Sequence, residues 1–158
     1  PIKLAEQLEP FLIKEGVLIE QHGLSKKEIA KPIPSLNQRS QTLIEMAQKS
    51  AFYFKKDLTF DEKARDKFLN KEIKPHIEKL ITGINDMTLF EHDPLENLLK
   101  KIAEEAGLKL GKLAQPVRVA LTGSTASPGI YDVILLLGKT TTLKRLNEGV
   151  GFIEKSCN

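Results

Sequence analysis

Apolar residues recur every three to four positions along most of this chain, a pattern typical of amphipathic helices. It is sharpest after Asp93, where six apolar residues share one helical face: Leu95, Leu98, Leu99, Ile102, Ala103 and Ala106. We expect Asp93 to cap this helix, Pro94 to lie in its first turn and Gly107 to end it. Glu96 and Lys100 are spaced to pair on the solvent side. The periodicity predicts an all-α fold.

The same periodicity predicts helices near the start of the chain and over residues 35–54, 61–69 and 71–84. Ser25 with Glu28, and Thr59 with Glu62, have the spacing of capping boxes, which mark helix starts. Pro10 is expected to kink or interrupt the first helix, because proline has no amide hydrogen.

Two short apolar runs, residues 117–121 and 133–137, have lengths that fit either a strand or a helix. Leu110, Leu113 and Val117 continue the first run backwards at helical spacing, so we predict helices for both runs.

Residues 55–57, just before Thr59, are the best candidate for a boundary, and residues 90–93 are the second choice. We therefore predict two consecutive small helical subdomains, over residues 1–60 and 61–158.

Composition excludes several classes of protein. The net charge of +3 is compatible with an RNA-binding surface, whereas the aromatic fraction of 6% argues against a platform of stacking aromatics.

The single cysteine, Cys157, allows no intrachain disulfide, so a cytoplasmic setting is expected. No apolar run approaches the ~20 residues of a membrane span, and no signal peptide opens the chain. A start at Pro1 without Met hints at a fragment. The three histidines are scattered, so neither metal binding nor histidine catalysis is expected.

The helix predicted over residues 109–122 has a polar face formed by Gln115, Arg118 and Thr122. This face points toward a loop of Gly, Ser, Thr and Pro that contains Ser127 and Pro128. Proteins read single-stranded bases by hydrogen bonds to their edges and by stacking on planar groups, including Arg. The alternative is a polar turn between helices with a solvated arginine.

Arg39 is a second candidate, since it lies between Leu36 and Leu43 at the edge of an apolar stripe. It could simply extend to water along its aliphatic stem. Alternatively, its planar group of five donors could recognise a base edge. Lys139 and Thr140 after Gly138 superficially resemble a phosphate loop, but the glycine that this motif needs five residues before Gly138 is absent.

The segment QPVRVALTGSTASPGIYDVILLLGK, within residues 108–146, resembles the C-terminal motif of bacterial-type glutamyl-tRNA synthetases. Weaker matches in FDEKARDKFL and RSQTL extend the resemblance over nearly the whole chain. It implies an all-α anticodon-binding region of two helical subdomains, forming a helical bundle or cage that binds the anticodon loop of tRNA(Glu).

The resemblance also implies roles for individual residues. Arg39 falls where discriminating members carry the arginine that recognises the third anticodon base, C in tRNA(Glu) and G in tRNA(Gln). Arginine rather than glutamine at this position favours a reader of glutamate tRNA alone. The pocket for the first two bases is implied to comprise Gln115, Arg118, Thr122, Ser127, Pro128 and Ile130. Ser127 replaces the threonine of some members and keeps the hydroxyl.

The ATP-binding signatures of class I synthetases, of the HIGH and KMSKS types, are absent from these residues. The resemblance therefore implies that ATP, with Mg, is bound by a catalytic domain elsewhere in the same polypeptide. No cofactor, metal, membrane or catalytic residue is expected here. A helical protein–protein adaptor without RNA binding is the alternative function.

Overall fold

The computed structural model describes residues 2–156, so Cys157 and the expectation placed on it lie outside the described residues, as do Pro1 and Asn158. Every regular element within residues 2–156 is a helix, which confirms the all-α class. The chain divides into two compact units, Pro1–Leu58 and Thr59–Asn158.

The first unit contains α1 (Ile2–Lys14), α2 (Lys26–Ala30), α3 (Ile33–Asn37), α4 (Leu43–Lys49) and α5 (Ala51–Phe54). Helix α1 packs against α2 and α4. Together the helices enclose a core of Ala5, Leu8, Leu12, Val17, Leu18, Ile29, Ile33, Leu36, Met46 and Ala47. The predicted capping box at Ser25 and Glu28 is present at the start of α2.

Pro10 lies inside α1 and does not interrupt it, so the second of the two expected outcomes is wrong. A proline inside a helix leaves the carbonyl four residues earlier without its amide donor. Pro10 and Glu6, which supplies that carbonyl, are both exposed, so water can replace the missing hydrogen bond. The helix therefore continues through the proline.

The single helix predicted over residues 35–54 is wrong, since α3, α4 and α5 replace it. Thr42 has an extended backbone, with φ −131° and ψ 161°, and its hydroxyl accepts a 3.1 Å hydrogen bond from the amide of Glu45. A threonine in this conformation is a helix start. Arg39 consequently lies in a turn between α3 and α4 and not on a helix.

The second unit contains α6 (Glu62–Phe68), α7 (Lys74–Asp86), α8 (His92–Glu105), α9 (Leu110–Thr122) and α10 (Ile130–Ser156). Helix α10 packs against α7, α8 and α9, and α6 packs against α9. The two ambiguous apolar runs lie within α9 and α10, so their helical assignment is confirmed. Helix α10 is broken at Gly138, where φ is +80°. The Nζ of Lys100 lies 2.9 Å from Oε1 of Glu96, as predicted.

Two predicted caps in the second unit are wrong. Asp61, and not Thr59, caps α6, since its carboxylate accepts from two first-turn amides at 3.1 and 3.3 Å. Helix α8 begins after Glu91, which makes no side-chain cap, so Asp93 lies inside the first turn. Gly107 follows the end of α8 with φ +69°, as expected for a helix stop.

Candidate nucleic-acid interface

Helix α9 separates an apolar face from a polar one. The side chains of Leu113, Val117 and Leu121 are fully buried, which fixes the rotation of the helix in its unit. Gln115 and Arg118 are half-buried at the protein surface. Nη1 of Arg118 lies 3.4 Å from Oε1 of Gln115, a long hydrogen bond that orients the guanidinium along the helix. The two polar side chains predicted to share a face therefore meet.

Thr122 shapes the end of α9. Its hydroxyl lies 2.8 Å from the carbonyl oxygen of Arg118 and 3.0 Å from that of Ser124, and it accepts from the amide of Ser124 at 3.3 Å. The residue is 8% exposed. Its hydroxyl is thus hydrogen-bonded to the backbone at the end of α9 and at the start of the loop.

The loop from Gly123 to Gly129 contains hydrogen bonds between residues that are close in sequence. Gly123 has φ +82°, and its amide donates to the carbonyl of Val119 at 2.8 Å, which closes α9. Ser124 Oγ accepts from the amide of Ala126 at 3.1 Å. Ser127 Oγ donates to the carbonyl of Pro128 at 2.8 Å. These bonds restrain the loop at its start, at Ser124, and near its end, at Ser127.

The residues expected around the first two bases differ in accessibility. Ser127 is partly exposed, like Gln115 and Arg118, whereas Pro128 and Ile130 are buried. We interpret Pro128 and Ile130 as the floor beneath the loop. Around this loop the partly exposed polar side chains are Gln115 and Arg118 of α9 and the loop residues Ser124, Thr125 and Ser127.

Arg39 belongs to the first unit, in a turn whose backbone is fixed on both sides. Its amide donates to the carbonyl of Leu36 at 3.0 Å, and its carbonyl accepts from Nζ of Lys49. Glu45 accepts from the amide of Gln41 at 2.7 Å and pairs with Lys49 at 3.0 Å. The hydrogen bond from Gln41, followed by the bond from Lys49, holds the pKa of Glu45 below its ordinary value. The exposed side chain of Arg39 therefore extends from an ordered turn.

The sequence did not single out Arg145 on α10, a charged residue that is only 5% exposed. Its Nη1 donates a 2.7 Å hydrogen bond to the carbonyl oxygen of Leu121, in the last turn of α9. Burial lowers the pKa of Arg145, and the negative charge of Glu148 opposes this effect. The neighbouring Leu146 is fully buried, so this part of α10 faces the core of its unit.

The Gly138-Lys139-Thr140 triplet does not form a phosphate loop. Gly138 breaks α10, and Nζ of Lys139 donates to the carbonyl oxygen of Met87 at 2.9 Å, so the lysine connects α10 to the end of α7. Among residues 2–156, no group of three or more His, Cys, Asp or Glu side chains is arranged to hold a metal ion. No helix in the same range is long and apolar enough to cross a membrane.

A family model described as the anticodon binding domain matches residues 3–150. The chain belongs to the anticodon-binding domain family. This membership covers both units, so the candidate residues on α9 and in the Arg39 turn lie within the matched range.

Curated relatives of this family member are named as glutamate–tRNA ligases. The one from Geotalea uraniireducens is 41% identical over 155 residues, which are 98% of this chain and 32% of the relative. The one from Syntrophobacter fumaroxidans has the same identity and coverage. The predicted resemblance to glutamyl-tRNA synthetases is therefore confirmed. The chain spans about a third of the length of these relatives.

Solved structures show the same fold. A glutamate–tRNA ligase from Elizabethkingia meningosepticum, in complex with its amino acid, superimposes with a TM-score of 0.75 at 24% identity, over 96% of this chain and 31% of that one. The glutamate–tRNA synthetase of Elizabethkingia anophelis gives a TM-score of 0.68 at 24% identity, over 93% and 28% of the two chains.

Proposed function

We propose that this chain is the anticodon-binding region of a glutamate–tRNA ligase and recognises the anticodon loop of tRNA(Glu). The observation that carries the proposal is the family match over residues 3–150, together with relatives named glutamate–tRNA ligases at 41% identity. We further propose that the two subdomains expected over residues 1–60 and 61–158 each contribute to recognition.

The geometry of the second unit suits the reading of unstacked bases. Arg118 and Gln115 present donors and an acceptor side by side at the surface of α9. Arginine can bind a base edge through two donors or stack on a base through its planar group, and the amide of Gln115 offers both a donor and an acceptor. In the proposal these two side chains contact the first two anticodon bases, and Ser127 contributes its hydroxyl beside them.

Thr122, Pro128 and Ile130 have supporting roles in this proposal. The hydroxyl of Thr122 fixes the turn out of α9, and the buried Pro128 and Ile130 support the loop from below. A pocket that is ordered before the RNA arrives loses less conformational entropy on binding. These residues would therefore preserve the shape of the pocket for the first two bases.

Arg39 is proposed to read the third base. Its backbone is hydrogen-bonded on both sides, and its side chain is exposed. On its Watson–Crick edge cytosine offers two adjacent acceptors, O2 and N3, whereas guanine offers two donors and one acceptor. An arginine, which only donates, would therefore favour C over G if it meets that edge. The chain would then prefer glutamate tRNA to glutamine tRNA.

The chemistry of aminoacylation belongs, in this proposal, to a catalytic domain of the same polypeptide, in the cytoplasm, where ATP with Mg activates glutamate. The phosphate-loop-like triplet at Gly138 offers no phosphate site, because Gly138 breaks α10 and Lys139 donates to the carbonyl of Met87. This region would contribute by holding the anticodon so that the distant acceptor end reaches that domain.

Fluorescence anisotropy with two anticodon stem-loops tests the proposal. The two RNAs differ only at the third anticodon base, C or G, and a third RNA has the same stem with an unrelated loop. We expect preference for the C-containing loop, with the logarithm of the association constant falling by roughly 0.7 per phosphate contact for each unit of log salt concentration. Equal affinity for all three loops would contradict anticodon recognition and direct attention to a protein-binding role.

A further inference from the structure

The last turn of α9 is held by a side chain from α10. The four final carbonyls of a helix have no amide partner within it and need other donors. Here the carbonyl of Val119 receives the amide of Gly123, and that of Leu121 receives Nη1 of Arg145 at 2.7 Å. Arg145 thus occupies a position that capping groups usually fill.

The contact is unusual because the donor is charged and buried. A buried guanidinium is costly unless its charge and donors are compensated. The partial negative charge at the C-terminus of α9 compensates it, together with the nearby carboxylate of Glu148. A charged donor makes a stronger hydrogen bond than a neutral one, so this contact restrains the turn more than a water molecule would.

The restrained turn carries the candidate binding groups. Arg118 precedes Leu121 by less than one helical turn, and Thr122 and the loop follow Leu121 directly. Thr122 connects the two sides, because its hydroxyl lies within hydrogen-bond distance of the carbonyls of Arg118 and Ser124. The Leu121 carbonyl thus lies at the base of the loop, and Thr122 beside it links that base to the backbone of Arg118.

We infer that Arg145 is a positioning residue for anticodon recognition, acting through the carbonyl of Leu121 to hold Arg118 and the loop from Gly123 to Gly129 in their binding arrangement. This inference rests on the proposed function of the chain. Arg145 itself, being buried, does not contact RNA.

The test compares Arg145→Met and Arg145→Lys with Lys139→Met. Lys139 is a matched control, since it also lies on α10 and donates to a carbonyl at the end of another helix, that of Met87 after α7. All proteins are studied well below their melting temperatures, with folding verified by circular dichroism. The readouts are the Kd for the glutamate stem-loop and the ratios of Kd on changing the second or the third anticodon base.

We expect Arg145→Met to weaken binding about tenfold and to reduce discrimination at the second base, while discrimination at the third base, assigned to Arg39, is unchanged. Arg145→Lys should be intermediate, because lysine keeps the charge and loses the planar fork. Lys139→Met should bind like the wild type. Unchanged second-base discrimination in folded Arg145→Met, or an equal loss in Lys139→Met, overturns the inference. If Arg145→Met does not fold, Arg145→Lys decides in the same way.

A second readout is independent of RNA. In the RNA-free protein, amide hydrogen exchange of Gly123 and Ser124 should be at least about tenfold faster in Arg145→Met than in Lys139→Met. If exchange is faster in Arg145→Met but the wild type discriminates no base, the proposed function is contradicted and the structural role of Arg145 stands. If exchange is unchanged in Arg145→Met and the wild type does discriminate bases, only the inference about Arg145 is overturned.

Discussion

The backbone amide of Asp61 donates a 2.8 Å hydrogen bond to the carbonyl oxygen of Gly123. Asp61 is also the N-cap of α6, and Gly123 is the C-cap of α9, so the bond joins the start of one helix to the end of another. Gly123 has φ +82°, a conformation that residues with a Cβ rarely adopt. The exit from α9 therefore depends on glycine for its backbone angle.

Gly123→Ala should destabilise the second unit. A Cβ built on Gly123 would lie 2.4 Å from the carbonyl oxygen of Thr59, a backbone atom that can move only with its segment. The positive φ adds a conformational cost of about 1 kcal/mol or more. We expect a loss of more than about 2 kcal/mol in the free energy of unfolding, measured by urea denaturation followed by circular dichroism.

Gly111→Ala is the matched control for this prediction. Gly111 lies on the exposed side of α9, and a Cβ there would meet no atom within 4 Å. Alanine is favoured over glycine inside a helix by about 1 kcal/mol. The control should therefore be neutral or more stable than the wild type. Equal stability of Gly123→Ala and Gly111→Ala would show that the approach to Thr59 is not tight.

The turn that carries Arg39 should weaken in acid. The amide of Gln41, and then Lys49, lower the pKa of Glu45 from its ordinary value of 4.5. Because the folded-state pKa is lowered, the contribution of this carboxylate is present above the ordinary value and is lost as the pH falls through the folded-state pKa. The effect on stability should be small, since the group is exposed.

A side-chain carboxyl titration by NMR checks this directly. We expect the midpoint for Glu45 to lie below 4.5 in the wild type and to rise in Lys49→Met, which removes both the hydrogen bond and the charge of Lys49. The midpoint in Lys49→Met should still stay below 4.5, because the Gln41 amide remains. A wild-type midpoint at or above that value would mean that the turn is open in solution.

Periodicity predicted most helices correctly because each helix buries its own apolar face. It could not detect the break between α3 and α4, since Leu36 and Leu43 are seven residues apart, or about two helical turns. The apolar pattern therefore stays in phase across a non-helical segment. The cap of α6 was misplaced for another reason. Thr59 and Asp61 are both good N-caps, and the bond from Asp61 to Gly123 favours the second.

Spacing alone predicted that Gln115 and Arg118 share a face, and they meet as expected. Thr122, the third residue predicted on that face, is instead buried. The burial of Pro128 could not be predicted, because it depends on how the loop folds back on its own unit. Arg145 follows Lys144 in a polar stretch, and its partner carbonyl lies 24 residues away. Nothing local distinguishes an arginine that reaches such a carbonyl from one in water.

Arg118→Ala should weaken binding of the glutamate anticodon stem-loop by about 1–3 kcal/mol, the scale of a lost bidentate or stacked base contact. Arg118→Lys is the charge-matched control, because it keeps the positive charge and loses the planar fork. It should retain the salt dependence of the wild type and lose much of the discrimination at the first two bases. Equal anisotropy titrations for the wild type and Arg118→Ala would exclude Arg118 from the interface.

Arg39→Gln should relax discrimination at the third anticodon base with a smaller loss of affinity. The exposed guanidinium extends from a turn fixed by Leu36 and Lys49, so glutamine would occupy the same position with fewer donors and a shorter reach. The two backbone bonds of residue 39, from its amide to Leu36 and from Lys49 to its carbonyl, can also form with glutamine.

The measurement is the ratio of Kd for the G- and C-containing stem-loops, with Arg118→Lys as the comparison. A second ratio compares the Kd values of stem-loops that differ at one of the first two anticodon bases. If the two arginines read different bases, Arg39→Gln should change only the third-base ratio and Arg118→Lys only this second ratio. An unchanged preference for C over G in Arg39→Gln would remove Arg39 from the third-base assignment. A loss of discrimination at every position in both variants would instead mean that the two residues recognise the loop as one shape and not base by base.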